Sequence, residues 1–159
     1  MKRLALLALA GLALSSGASA QDDPKVPYWA SISSGQAMMR TGPGRNFPGT
    51  WLYQRRDLPV RIVQRYDNWR KIEDPEGTSG WMAVALLSER RTAMVTGNDI
   101  VDVRAGSSPD SAVRYRAEPG VVGRIDQCDG QRCHIRFGER EGWIAQGALW
   151  GVDAGETVD

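Results

Sequence analysis

The sequence has few of the side chains on which enzyme chemistry depends. It holds one histidine, His134, and two cysteines, Cys128 and Cys133. A cysteine nucleophile needs a base within hydrogen-bond reach. Cys133 and His134 are adjacent in a predicted strand, so their side chains point to opposite faces. The two cysteines are also spaced too far apart for a redox Cys-x-x-Cys motif. We therefore predict no catalytic residues and no enzyme activity.

Recognisable metal and cofactor motifs are also lacking. Cys128, Cys133 and His134 could supply three ligands, but neighbouring strand residues do not easily converge on one ion. The glycine-rich segment 42–44 has no Lys-Ser/Thr partner and precedes no helix, unlike a phosphate loop. The acidic residues lie around predicted turns, where carboxylates are usually solvated rather than paired across a cleft. We expect no bound metal and no cofactor.

Long apolar runs are scarce, and the longest lies at the start of the chain. Leu4 to Leu14 contains only Leu, Ala and Gly, follows Lys2 and Arg3, and precedes the small residues Ala18-Ser19-Ala20. This pattern is typical of a secretory signal peptide, here residues 1–20. A transmembrane anchor needs about 20 apolar residues, so the run is too short to span a bilayer. We expect export to the periplasm or beyond, with no transmembrane segment in the mature chain.

The chain also lacks a large excess of positive or negative charge. Removal of residues 1–20 takes away Lys2 and Arg3 and no acidic residue, which changes the formal net charge from +1 to −1. Nucleic-acid binding depends on basic side chains that neutralise phosphates. A nearly neutral chain therefore gives no reason to expect a nucleic-acid partner.

The two cysteines of an exported chain meet an oxidising compartment. The four residues between Cys128 and Cys133 include Asp129-Gly130, a turn signal that could place the two sulfurs across a hairpin. We predict a Cys128–Cys133 disulfide, with two free thiols as the alternative.

The chain contains an internal repeat. Residues 37–44, 79–83 and 85–87 are similar to residues 101–108, 141–145 and 148–150, in the same order and at offsets of 62 to 64 residues. Three matched blocks in order indicate a duplication.

Each repeat is predicted to consist of short strands, because its apolar segments are interrupted by glycine, proline and Asp-Gly turns. The expected strands are Ala30–Ser33, Ala37–Arg40, Thr50–Tyr53, Pro59–Arg65, Trp69–Glu73 and Gly80–Ala83, then Thr92–Thr96, Ile100–Arg104, Val113–Arg116, Gly120–Gln127, Cys133–Phe137 and Glu141–Ala145. A barrel of about 55 residues is marginally stable alone, so we expect the two to pack together. The prediction is an all-β protein with units 28–91 and 92–152, a flexible segment 21–27 and a flexible tail 153–159.

The motifs of the two repeats resemble those of the bacterial Src homology 3 (SH3-like) domain family, in its secreted tandem form. They are the Arg-x-Gly-Pro start at Arg40, the central Trp69-Arg70-Lys71-Ile72, the Gly-Trp ends at Trp81 and Trp143, Tyr28-Trp29-Ala30-Ser31, Leu58-Pro59-Val60, and Leu149-Trp150-Gly151-Val152. The resemblance covers about residues 28–152. It implies two small β-barrels and a binding module of the cell envelope, with peptidoglycan or a protein as partner and no defined activity.

Tryptophan and tyrosine outnumber phenylalanine, with six Trp and four Tyr against two Phe. SH3-like grooves use such aromatic residues to bind extended peptides. The candidates are Tyr28, Trp29, Tyr53, Tyr66 and Trp69. Strand alternation places Trp69 on the face opposite Ile72, where it either lines a groove of the first unit or packs between the barrels.

Two further positions recur in both repeats. Arg40, matched by Arg104, either contacts a ligand carboxylate or binds carbonyls of its own loop. Trp81 and Trp143 end the repeats identically, and we expect them in the core. The leading hypothesis is a non-catalytic envelope module that recognises peptidoglycan or its stem peptides. The alternative is a periplasmic protein–protein adaptor that docks an envelope enzyme or receptor.

Overall fold

The computed structural model describes residues 24–159, and this part of the chain is built from short β-strands. The predicted signal peptide, residues 1–20, lies outside the described residues. The first half contains β1 (Tyr28–Ile32), β2 (Ala37–Arg40), β3 (Gly49–Tyr53), β4 (Pro59–Tyr66), β5 (Trp69–Glu73), β6 (Ser79–Ala83), a 3-10 turn (Val84–Leu86) and β7 (Leu87–Ser88). The second half contains β8 (Thr92–Val95), β9 (Val101–Arg104), β10 (Val113–Ala117), β11 (Val122–Asp129), β12 (Arg132–Phe137), β13 (Arg140–Ala145), a 3-10 turn (Gln146–Ala148), β14 (Leu149–Trp150) and β15 (Thr157–Val158).

The two halves have the same sheet topology. The first sheet has the order β3-β2-β6-β5-β4-β1-β7, and the second has the order β10-β9-β13-β12-β11-β8-β14, with β15 added beside β11. Strands β8 to β14 thus occupy the same places in the second sheet as β1 to β7 occupy in the first. The predicted all-β class and the tandem arrangement of two similar units are confirmed. Among residues 24–159, no helix is long and apolar enough to cross a membrane.

Each unit has its own hydrophobic core, filled by alternate residues of its strands. In the first unit Ile62, Ile72 and Met82 are completely buried. In the second unit, Ile135 takes the place of Ile72, and Ile144 takes the place of Met82. Ile72 therefore faces the core, as its match with Ile135 in the second repeat predicted.

The prediction that Trp81 and Trp143 lie in the core was wrong. Both side chains are only half-buried, and the residues that follow them, Met82 and Ile144, fill the core instead. Successive side chains of a strand point to opposite faces, so a core residue at the next position puts each tryptophan on the outer face. Trp81 lies there opposite Lys71.

The two units pack directly on each other through β8. Ala93 and Val95 belong to the core of the second unit, whereas Met94, between them, belongs to the core of the first. The rings of Trp29 and Trp150 meet edge to face with centroids 4.9 Å apart, and the indole N–H of Trp150 donates to the carbonyl of Pro59 at 3.2 Å. Strand β8 thus serves both cores, which holds the units together.

The tail is anchored rather than flexible. In place of the predicted free segment 153–159, Thr157–Val158 forms a strand that pairs with β11. The guanidinium of Arg91 donates to both carboxylate oxygens of Glu156, at 2.6 and 3.0 Å. A bidentate pair of this kind constrains the chain more than an exposed single contact does. The sequence prediction failed because Arg91 lies 65 residues away from its partner.

The predicted disulfide is confirmed. Cys128 and Cys133 are directly opposite each other on β11 and β12, and their sulfurs are bonded. Gly130 has a φ of 93°, a left-handed conformation that the tight turn between the strands requires and that glycine adopts without strain.

Candidate functional site

A cleft of about 550 Å³ lies beside the junction of the two units. It is formed by the end of β3, the turn between β5 and β6, and one residue of β8. The lining residues are Trp51, Leu52, Tyr53, Gln54, Arg55, Leu58, Asp74, Glu76, Thr78 and Met94. A volume of this size accommodates a small ligand or a short peptide segment.

The floor of the cleft is a buried polar pair. The hydroxyl of Tyr53 donates to Asp74 Oδ2 at 2.8 Å, and the two residues are 6% and 4% exposed. The other carboxylate oxygen, Oδ1, accepts hydrogen bonds from the backbone N–H groups of Glu76 and Thr78, at 3.1 and 2.7 Å. Asp74 therefore has its hydrogen bonds satisfied from within the protein, and it fixes the β5–β6 turn against β3.

The environment of Tyr53 keeps its hydroxyl protonated. Burial raises the pKa of the phenol, and the hydrogen bond to Asp74 and the negative charges of Asp74 and Glu76 raise it further. A phenol with a raised pKa remains a hydrogen-bond donor at neutral pH and does not act as a base. The floor is thus a rigid, chemically inert surface.

The rim of the cleft carries the groups that a ligand would meet. Trp51 is 60% exposed and Leu52 is 41% exposed, so apolar surface faces solvent here. Glu76 and Arg55 are both exposed, and the Arg55 guanidinium donates to the carbonyl of Gly120 in the second unit. The cleft therefore combines an aromatic face with side chains of both charges.

The second unit does not repeat this site. The strand registers put Ala117 opposite Val101 as Tyr53 is opposite Ala37, so Ala117 stands at the position of Tyr53. Phe137, at the end of β12, likewise stands at the position of Asp74, the residue that follows β5. An alanine and a phenylalanine cannot reproduce the polar floor. The prediction that the first unit holds the groove is consistent with this difference.

The six predicted binding residues do not form one groove. Tyr53 lies in the cleft. Tyr28 lies outside the cleft, where Arg70 Nε donates to its hydroxyl at 3.2 Å and the Arg65 guanidinium lies 5.1 Å from its ring centroid. Tyr66, 61% exposed, is paired with Trp69 at the tip of the β4–β5 hairpin.

The remaining two predicted residues have structural contacts. Trp29 packs on Trp150 between the units, and the Arg61 guanidinium lies 5.7 Å from its ring centroid. Arg40 Nη1 donates to the carbonyl of Phe47 at 2.8 Å, and Arg104 Nη1 makes the same bond to Ser111. The matched bonds support the alternative in which Arg40 shapes its own loop.

Sequence reasoning missed Trp51, Leu52, Arg55 and Glu76. The signal for the first two was present, because adjacent large apolar residues in one strand cannot both face the core. Tyr53 is the buried residue of β3, and the four residues before it are exposed. Arg55 and Glu76 had no such signal, since their approach depends on loops that are distant in the sequence.

A group of possible metal ligands lies elsewhere, on the outer face of the second unit. Asp126, His134 and Glu141 offer ligand atoms within 4.8 Å of one another. The sequence offered Cys128, Cys133 and His134 as possible ligands but predicted no metal site, and the two cysteines are bonded to each other.

Comparisons with known proteins give three solved structures as examples of similarity. NlpC2 from Trichomonas vaginalis is 13% identical, with a TM-score of 0.34, and the match covers 80% of this chain and 49% of that one. An NlpC/P60 family protein from Bacillus cereus is 12% identical, with a TM-score of 0.34 and coverages of 77% and 55%. NlpC1 from Trichomonas vaginalis is 15% identical, with a TM-score of 0.33 and coverages of 86% and 50%. The chain spans about half the length of these structures. No curated protein sequence matches it.

The family comparison agrees with the duplicated fold. The model of the bacterial SH3 domain matches the chain twice, over residues 33–89 and 97–151. The first range contains β2 to β7 of the first sheet, the second contains β9 to β14 of the second sheet, and each range contains one of the two repeats of the sequence. The chain therefore belongs to the bacterial SH3 domain family and carries two copies of the domain in tandem.

Proposed function

We propose that this protein is a non-catalytic binding module of the bacterial cell envelope and that its cleft recognises peptidoglycan through the stem peptides. The observation that carries the proposal is the cleft itself, with an exposed aromatic face and charges of both signs above a rigid floor. The predicted signal peptide supports an envelope location, periplasmic or secreted.

The chemistry of the rim supports a peptide ligand. A stem peptide is short and extended, and it carries both amino and carboxylate groups. The Glu76 carboxylate would bind a ligand ammonium, and the Arg55 guanidinium would bind a ligand carboxylate. Trp51 and Leu52 would cover the aliphatic parts of the peptide, as aromatic residues do in many peptide grooves.

The state of the polar groups supports binding without catalysis. Asp74 is fully hydrogen-bonded inside the protein, and the pKa of Tyr53 is raised. Neither group is available as a nucleophile or a general base, and the cleft lining contains no His, Cys or Lys side chain.

Co-sedimentation with purified peptidoglycan sacculi tests the proposal. We expect the protein to bind and Trp51→Ala to weaken binding by about tenfold or more, since an exposed aromatic anchor typically contributes over 1 kcal/mol. Trp69→Ala is the matched control, because it removes a tryptophan of the same unit outside the cleft and should leave binding unchanged. Loss of binding with Trp69→Ala alone would move the site to the hairpin tip. Absence of binding by the wild-type protein would contradict the proposal.

The adaptor function remains the second candidate, and a separate surface favours it. Tyr66 is 61% exposed at the tip of a hairpin, beside half-buried Trp69. Exposed aromatic side chains are frequent at the centre of protein–protein interfaces. Capture of a periplasmic partner that is lost with Tyr66→Ala, in the absence of sacculus binding, would favour this function.

A further inference from the structure

Three ligand-type side chains meet on the outer face of the second unit, one from each of three adjacent strands. Asp126 belongs to β11, His134 to β12 and Glu141 to β13, and their ligand atoms lie within 4.8 Å of one another. His134 Nδ1 and Asp126 Oδ2 are 3.3 Å apart. Tetrahedral zinc with bonds of about 2.0–2.1 Å holds its ligand atoms about 3.3–3.4 Å apart. Two of the three ligands thus already have the spacing that zinc requires.

A β-bulge brings Asp126 into this group. Ile125 pairs with Ile135 and Gln127 pairs with His134, so Asp126 is the extra residue between two paired positions. A bulge of this kind redirects a side chain and is often found beside functional sites. Here it places the carboxylate next to the imidazole of the neighbouring strand.

The first unit has the same bulge without the ligands. Its extra residue is Val63, between the pairs Ile62–Ile72 and Gln64–Lys71. Lys71 stands at the position of His134, and Ser79 stands at the position of Glu141. A valine, a lysine and a serine do not bind a divalent cation. The ligand group is therefore a property of the second unit and not a by-product of the repeated fold.

Arg136 bridges the two carboxylates of the group. Its Nη2 lies 2.9 Å from Asp126 Oδ2, and its Nε lies 3.5 Å from Glu141 Oε2. The Arg136 side chain is 50% exposed, so it can turn into solvent at small cost. The positive charge of the arginine lies against the two carboxylates, and a divalent cation could take its place there.

We propose that Asp126, His134 and Glu141 form a binding site for Zn²⁺ or a similar divalent transition metal, with Arg136 as a competing cation. Two carboxylates and a neutral imidazole balance the charge of the ion, and water would complete a tetrahedral shell. The nitrogen ligand favours zinc over magnesium or calcium, which prefer oxygen. This site lies outside the cleft, and the proposal does not depend on the proposed function.

The single histidine of the chain makes the proposal directly testable. Zn²⁺ is titrated into the untagged protein, and the imidazole resonances of His134 are followed by NMR. We expect one saturable site per chain that shifts these resonances, and no effect of Mg²⁺. Co²⁺ should quench the fluorescence of Trp143, whose ring centroid lies 5.5 Å from that of His134. Saturation with zinc that leaves the His134 resonances unchanged, or the absence of zinc binding, would overturn the proposal.

Matched substitutions separate a metal site from a simple network of ion pairs. His134→Gln and Asp126→Asn should each weaken zinc binding by at least about tenfold, a loss typical even of changes around the ligands. Arg136→Gln should strengthen binding, because it removes the competing charge. Lys71→Ala, at the equivalent position of the first unit, should have no effect. If Arg136→Gln leaves the zinc affinity unchanged, or His134→Gln retains full affinity, the assignment is wrong. Circular dichroism confirms that each variant is folded.

Discussion

Tyr53 and Asp74 are the residues on which the shape of the cleft depends. Asp74 accepts three hydrogen bonds within the first unit, and the one from Tyr53 joins β3 to the β5–β6 turn. Both side chains are almost fully buried. If one of them were removed, water could not easily take its place as the hydrogen-bond partner of the other. The hydrogen bond from Tyr53 therefore fixes β3 against a turn that Asp74 also holds through two backbone N–H groups.

We expect Tyr53→Phe to lower the free energy of unfolding by about 1–3 kcal/mol, because it leaves a buried carboxylate oxygen without its donor. Denaturant unfolding at neutral pH measures the change. Tyr115→Phe is the control. It removes the hydroxyl of a half-buried tyrosine in the second unit and should change the free energy of unfolding by much less. An unchanged unfolding midpoint for Tyr53→Phe would show that the bond contributes nothing.

The pH dependence of the same pair has a defined sign. The pKa of Tyr53 is raised in the folded protein, so the folded state favours the protonated phenol. This stabilisation is complete below the ordinary tyrosine pKa of about 10 and declines as the pH rises above it. Tyr53→Phe should lose that alkaline dependence.

Strand β15 is held in place through an ion pair with a residue that is distant in the sequence. Glu156 precedes it and accepts two hydrogen bonds from Arg91 and one from the backbone N–H of Asp153. Burial alone would raise the pKa of the Glu156 carboxyl, but these hydrogen bonds and the charge of Arg91 outweigh burial and lower the pKa.

We expect Glu156→Gln to destabilise the protein at neutral pH by about 1 kcal/mol, as for a partly exposed charged hydrogen bond. A lowered carboxyl pKa gives stabilisation that is present above the ordinary glutamate value of about 4.3 and is lost as the pH falls below it. The variant should therefore show a weaker loss of stability in acid. Thermal unfolding from pH 7 to pH 3 measures both effects.

Asp153→Asn is the control for this prediction. Asp153 makes one ion pair, with Arg61 at 3.8 Å, and both side chains are more than a third exposed. Such pairs contribute little, so the acid dependence of this variant should match that of the wild-type protein. Equal behaviour of Glu156→Gln and Asp153→Asn would contradict the role assigned to Glu156.

At the scale of the whole molecule, β8 links the two units. It belongs to the sheet of the second unit, but Met94 fills the core of the first. Gly151, with a φ of 114°, allows close contact, since a Cβ there would lie 3.1 Å from the Cβ of Pro59 in the first unit.

We expect the protein to unfold in a single transition, with equal calorimetric and van't Hoff enthalpies. Met94→Ala should lower the stability of this whole transition by about 2–5 kcal/mol, as for a buried methionine. Met38→Ala, at a half-buried position of β2, should cost much less. Two resolved transitions in differential scanning calorimetry of the wild-type protein would show that the units fold independently.

The strands, the duplication and the disulfide could be predicted from the sequence because they depend on local features. Period-two alternation places Ile72 in the core, and Asp129-Gly130 makes the turn that brings Cys128 and Cys133 together. Trp81 shows the limit of such reasoning, because a repeated residue reveals a shared role but not the face that it occupies. Its outer position followed from Met82, the next residue.

By itself, the sequence determined the all-β class, the two units and the aromatic character of the first unit, and it predicted the disulfide, because strand patterns, repeated blocks and turn signals are visible along the chain. Only the tertiary structure decided where the aromatic residues act. It put Trp29 between the units, Trp51 in a cleft completed by Met94, and Asp126 beside His134 through a bulge. Each of these contacts joins strands whose distance in space is set by sheet order and register, which local patterns do not encode.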